Sequence, residues 1–143
     1  MKVLIVSDIH GNWPALRTVL EAEPKFDQIL CLGDLVNYGS QPVECVTWAQ
    51  EIASDAIVLQ GNHDRALGLN LDPHCSAAYE TLAAATQEIT ERMLTPELKA
   101  FLAGLRPLRR FHLDKAKCFA CHASARDPLY HYLPAEGELR TIV

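Results

Sequence analysis

Apolar runs alternate with amphipathic stretches through residues 1–60. KVLIV, residues 2–6, is short and β-branched, and it reads as a buried strand ending in SDIHGN. A helix is expected from Asn12, which suits an N-cap, with Pro14 in the first turn and Ala15, Leu16, Val19 and Leu20 on one face. Pro24 ends it. QILCLGD, residues 28–34, predicts a second strand. Ser40 or Gln41 opens a second helix with Pro42 in its first turn and Val43, Val46 and Trp48 on its inner side. AIVLQ, residues 56–60, predicts a third strand. Strand, helix, strand, helix, strand implies a parallel sheet with crossover helices, the α/β class.

The second half has a different rhythm. Residues 76–94 are rich in Ala, Leu and Glu and predict a helix. Thr95-Pro96-Glu97 reads as the start of another, with Leu98, Phe101, Leu102 and Leu105 at helical spacing. Gly104 and Pro107 stop it. RRFHLD and KCFACH form an expected strand pair with the turn at Lys115-Ala116. From Ser124 onward no periodicity is visible, and Pro134 and Gly137 interrupt the tail. No repeat or linker divides the chain, so residues 1–143 are expected to form one domain with a helical segment at about 65–107.

Charge narrows the function classes. The formal net charge is −5, which argues against a surface for nucleic-acid polymers but leaves a phosphate substrate open if metal ions supply positive charge. The apolar run after Lys2 is too short for an export signal, and no stretch approaches a membrane span. The cysteines, Cys31, Cys45, Cys75, Cys118 and Cys121, are odd in number, which fits free thiols in a reducing cytoplasm. Cys31, Cys118 and Cys121 sit in apolar runs and read as core residues. CFACH, residues 118–122, matches a haem-attachment string, but strand alternation puts its two cysteines on opposite faces.

The polar residues cluster where the predicted strands end. The first strand ends in Asp8-Ile9-His10, the second in Gly33-Asp34, the third in Gly61-Asn62-His63-Asp64, and the late one in His122. Each alone reads as a turn, a cap or a core histidine. Together they would lie at one edge of a parallel sheet, where ligands bind. Carboxylate, amide oxygen and imidazole converging on one point suit a divalent metal. His74 and His112 read as surface residues.

SDIHGN (7–12), GDLVNYG (33–39), GNHD (61–64) and CHASARDPLY (121–130), in this order, resemble the calcineurin-like metallophosphoesterases, most closely the small bacterial phosphodiesterase branch. The resemblance implies a four-layer α/β/β/α sandwich with the site at the edge of two sheets. It implies two divalent metals, Mn, Fe, Zn or Ni, bridged by Asp34. Asp8 and His10 would bind the first, and Asn62 and His122 the second. A water or hydroxide held by the metals would attack the phosphorus of a small phosphate ester. His63, off the metals, would donate a proton to the leaving alkoxide, and Asp64 would orient His63 and raise its pKa.

The match departs from the family at two places. Asn37 stands where many relatives have another acid. Members also end in a Gly-His-x-His motif that completes both metal shells, and this chain has only His131 after His122. The resemblance therefore leaves each metal one imidazole short and the second sheet incomplete, with an open edge that invites pairing with another copy. Two readings follow: a phosphodiesterase, or a catalytically impaired metal-binding or interaction module built on the same fold. A shortened relative and a fragment of a longer chain both fit.

Overall fold

The computed structural model describes residues 1–131. The N-terminal apolar run becomes β1 (Val3–Val6), which pairs in parallel with β2 (Gln28–Cys31), and β2 pairs in parallel with β3 (Ile57–Val58). The order β1-β2-β3 follows the chain. Parallel neighbours need crossovers, and these are α1 (Trp13–Ala22) and α2 (Pro42–Ile52). The Asn12 side chain caps α1 by accepting from Ala15 N at 3.2 Å, and Gln41 precedes α2. Both crossovers advance the sheet in the same direction, so right-handedness puts both helices on one face.

Strand alternation splits the core in two. Ile29 and Cys31 face the helices and pack with Leu16, Val46 and Ala49. Leu30 faces the other way and packs with Ile57, Leu59, Phe111 and Ala120. The last two belong to an antiparallel pair, β4 (Leu108–Leu113) and β5 (Ala116–Cys121). The described residues are therefore layered as helices, parallel sheet, then hairpin. Ile5, on the hairpin side of β1, is 58 % exposed. Among the described residues nothing covers it.

Three boundaries differ from the sequence reading. The third strand is shorter than residues 56–60, because Leu59 bridges to Arg106 and Gln60 N donates to Arg106 O at 2.9 Å. The hairpin turns at Asp114-Lys115, one residue early: Ala116 is paired with Leu113, and Asp114 takes the left-handed conformation. Cys118 and Cys121 are half-buried, unlike Cys31 in the core. The helical segment also begins earlier than 65. Helix α3 (Asn62–Leu69) starts inside GNHD, followed by α4 (Glu80–Met93) and α5 (Pro96–Gly104). Thr95 caps α5, and α5 packs closely on α3, where Ala103 stands against Gly68. No helix among the described residues is long and apolar enough to cross a membrane.

The loops after the three parallel strands are fastened to one another. Asp8 N, His10 N and Gly11 N donate to the carbonyls of Gly33, Asp34 and Leu35 at 2.8–3.0 Å. The loop after β2 is fastened to α3 by a buried carboxylate. Asp64 accepts from Asp34 N (2.8 Å), Leu35 N (2.8 Å) and Gly61 N (3.0 Å). Glycine allows the two loops to close this far. A Cβ on Gly61 would stand 2.0 Å from Asp34 Oδ1, and one on Gly33 would stand 2.4 Å from Gly61 N. Replacing Asp64 by Asn would aim amide hydrogens at backbone N–H groups and leave buried donors unmet. Asp64→Asn is expected to lower the unfolding free energy by roughly 1–3 kcal/mol, read from urea denaturation. An unchanged midpoint would show that the carboxylate does not hold these loops.

Candidate metal centre

The four strand-end segments deliver their polar side chains to one cavity of about 450 Å³. Asp34 is at its centre. Its Oδ1 accepts from His63 N at 3.0 Å, in the first turn of α3, where a helix N-terminus favours an anion. Its Oδ2 faces two imidazoles, His10 Nε2 at 3.7 Å and His122 Nε2 at 3.4 Å. Asp8 Oδ1 lies 3.9 Å from His10 Nε2, and Asn62 Oδ1 lies 3.1 Å from His122 Nε2. Among the described residues, two sets of donors have all their ligand atoms within 4.8 Å of one another: His10, Asp34 and His63, and Asp8, Asp34 and His122. Asp34 is common to both.

The orientation of these side chains fits a cation. His10 Nδ1 is 2.8 Å from Val36 O, and His122 Nδ1 is 2.9 Å from Leu32 O. A carbonyl only accepts, so each Nδ1 carries a proton and each Nε2 is left to face the carboxylates. Metal-binding histidines are held in this way. Asn62 Nδ2 donates to Pro73 O at 2.7 Å, which turns its oxygen toward His122. Unprotonated His122 and Asn62 would then point two acceptors at each other. A proton or a metal ion between the acceptors relieves that repulsion.

Without a metal, the proton takes that place. Burial by itself would push the His122 pKa down, but the hydrogen bond and charge of Asp34 outweigh it, and it rises to about 9. Burial opposes the charge on Asp34, yet the bond to His122 and the three surrounding imidazoles hold its pKa below the usual value. Asp64 is pushed up to about 6 by burial and by the charge of Asp34, against three backbone N–H bonds.

His63 is not held as expected. Asp64 was expected to orient it and raise its pKa, but the Asp64 carboxylate is taken up by backbone. Consecutive residues on a helix do not face each other, so Asp64 points back to the N-cap while His63 points into the cavity. Asn37 takes the orienting place: its Nδ2 is 2.9 Å from His63 Nδ1, and its Oδ1 has no hydrogen-bond partner among the described residues. With the amide donating, the proton of neutral His63 sits on Nε2, 3.4 Å from the Tyr38 hydroxyl. An amide adds no charge, so burial dominates and lowers the His63 pKa. Tyr38, His10 and His63 meet edge-on as a triangle of rings, with centroid distances of 4.7 Å (His10–Tyr38), 5.0 Å (Tyr38–His63) and 5.1 Å (His10–His63).

The structure thus brings Asp8, His10, Asp34, Asn62, His63 and His122 together. His131 is engaged elsewhere, with Nδ1 2.7 Å from Ser124 Oγ, and His74 and His112 are exposed. Pro134 and Gly137 lie outside the described residues. Asn37 and Tyr38 were missed as site residues. Their signal was the left-handed backbone needed after Asp34: Asp8, His10, Asp34, Asn37 and Tyr38 all have φ between 47° and 68°. Such conformations in non-glycine residues concentrate at functional loops.

The chain is similar to known proteins in sequence and in fold. A protein of Methanocaldococcus jannaschii described as uncharacterized is 29% identical over 134 residues, covering 92% of this chain and 53% of its own. A symmetrical bis(5'-nucleosyl)-tetraphosphatase of Pseudomonas fluorescens is 27% identical over 84% of this chain and 40% of its own. The chain thus spans about half the length, or less, of these curated relatives. The crystal structure of a metallophosphoesterase from Sphaerobacter thermophilus superposes with a TM-score of 0.72 at 32% identity, over 93% of this chain and 51% of that one. A hypothetical protein from Pyrococcus horikoshii shares the fold, with a TM-score of 0.81 at 22% identity over 98% of this chain and 62% of its own. The family model for calcineurin-like phosphoesterases matches residues 1–133, and the chain belongs to that family.

Proposed function

We propose that this protein is a metal-dependent phosphodiesterase acting on a small phosphate ester at a dinuclear centre. The observation that carries the reading is Asp34: one buried carboxylate common to two donor sets, with the Nε2 atoms of His10 and His122 turned onto the same oxygen. The sets group His63 with His10 and Asp8 with His122, so the division of ligands between two metals follows the family resemblance. Residues 1–143 would form one domain of the four-layer α/β/β/α type, of which helices, parallel sheet and hairpin are the described part.

Asp8 and His10 would hold one metal and Asn62 and His122 the other, with Asp34 between them. Divalent ions bound there supply Lewis acidity toward phosphate oxygens and lower the pKa of water. An oxygen- and nitrogen-donor set suits Mn, Fe, Zn or Ni. Asn62 contributes a neutral oxygen, which limits the negative charge facing a phosphate. His63, with its proton on Nε2, donates to the oxygen that leaves phosphorus. Asn37 keeps that proton on the cavity side. Asp64 acts at one remove, by holding the Asp34 and Gly61 loops in place. A cytoplasmic setting follows from the free thiols. The relatives named as symmetrical tetraphosphatases make a dinucleoside polyphosphate a substrate to include in a panel.

Hydrolysis of bis(p-nitrophenyl) phosphate with added Mn²⁺, with and without chelator, tests the reading. Metal binding without chelator-sensitive turnover would leave only the metal-binding module. Asp34→Asn should cost more than the roughly 10–100-fold lost when a supporting group of a metal site is removed, and should strip metal as measured by elemental analysis. His63→Ala should lower kcat by about 10²–10⁴-fold with metal content unchanged. Loss of a metal equivalent in that variant would instead make His63 a ligand beside His10 and Asp34. Metal binding must also displace the His122 proton. Below pH 9 the Mn²⁺ affinity should therefore rise by about tenfold per pH unit, as a titration at pH 7 and 8 would read. A pH-independent affinity contradicts the assignment of His122.

A further inference from the structure

The cavity has a second wall that the metal chemistry does not use. Besides the candidate ligands it is lined by Cys75, Ser76, Tyr79 and Leu82, all uncharged. Tyr79 precedes α4 and Leu82 lies in its first turn. Three positions apart, they present their side chains on one side of the helix. Both are large and apolar, yet they are 58 % and 52 % exposed. The helix packs on the rest of the protein through a different line of residues, Ala83 and Thr90, which are buried. Tyr79 and Leu82 are therefore not spent on the core. They stand at the cavity, where their exposed surface can be covered by whatever enters it.

Ligand sites combine an apolar lining with a few convergent polar groups, in cavities of this size. Here the two kinds of group come from different segments, acids and imidazoles from the strand ends and an aromatic ring and a leucine from the start of α4. We propose that Tyr79 and Leu82 form a subsite for a planar aromatic group, aryl or nucleobase, carried on the phosphorus of the substrate. The subsite rests on the phosphodiesterase reading above and deepens it: the metal side binds the phosphoryl oxygens, and the α4 side selects the organic group. An aromatic ring gains more than an aliphatic group here, because it can stack against or meet edge-on the Tyr79 ring while covering Leu82.

Phenylphosphonate and methylphosphonate test this directly. They share the anionic head and differ only in ring against methyl. Calorimetric titration of each into the Mn²⁺-loaded protein should show phenylphosphonate binding tighter by roughly tenfold or more, the scale of a filled apolar pocket. The preference should fall toward unity in Tyr79→Ala and Leu82→Ala, and survive in Tyr79→Phe, which keeps the ring. Circular dichroism of the variants should be unchanged, since neither side chain is in the core. Equal binding of the two phosphonates by a protein that turns over bis(p-nitrophenyl) phosphate overturns the subsite and leaves the phosphodiesterase reading intact. Retained preference without turnover overturns the catalytic reading and leaves an aromatic-phosphonate site. Tenfold preference that persists in both alanine variants also overturns the assignment to Tyr79 and Leu82.

Discussion

A single buried carboxylate holds the loops on which the site depends. Asp64 is fully buried, and its two oxygens take the N–H groups of Asp34, Leu35 and Gly61. These are backbone groups from the ends of two different strands. Left unbonded in the interior, each would cost on the order of 1 kcal/mol or more. The carboxylate thereby fixes the height and direction of Asp34 relative to Asn62 and His63. Glycines at 33 and 61 let the two backbones meet closely enough for one side chain to span them. Charge at Asp64 is tolerated because three donors surround it, although burial and Asp34 raise its pKa.

What is fastened in this way is strained. Five non-glycine residues of the site loops sit in the left-handed region, where an L side chain costs on the order of 1 kcal/mol. The reward is direction. A left-handed step turns consecutive side chains away from the strand axis, so Asp8 and His10 both reach Asp34 from one short loop. The electrostatics follow the same logic. Carboxylates and imidazoles crowd into one space, and a proton on His122 supplies positive charge there, a place that a metal ion would take under the proposed function.

Family membership sets the chemistry but not its selectivity. The ligand side of the cavity is built by the strand ends, the parts that the resemblance covers best. The rest of the lining includes the segment leading into α4, whose Tyr79 and Leu82 are free of the core. Under the proposed function, a division of this kind would let one metal chemistry serve different esters, because the helical segment can change without disturbing the loops that Asp64 ties together.

Local pattern alone carried much of this. The β-branched runs, the prolines in first turns and the polar residues at each strand end predict the parallel sheet, both crossover helices and the convergence of Asp8, His10, Asp34, Asn62 and His122. Those signals are legible because periodicity, capping and side-chain chemistry act within a few residues. The partners of each side chain were not. The resemblance implied that Asp64 orients His63, but adjacent residues on a helix do not face each other. Asn37, twenty-six positions away, holds His63 instead. The carbonyls that orient the ligand histidines, Val36 and Leu32, carry no mark in the sequence, since every residue has one. Nor did composition reveal that Tyr79 and Leu82 would line the cavity while Ala83 faces the core. Which nearby side chains act together depends on how strand ends, helix starts and loops close around the cavity, and only the tertiary structure decides that.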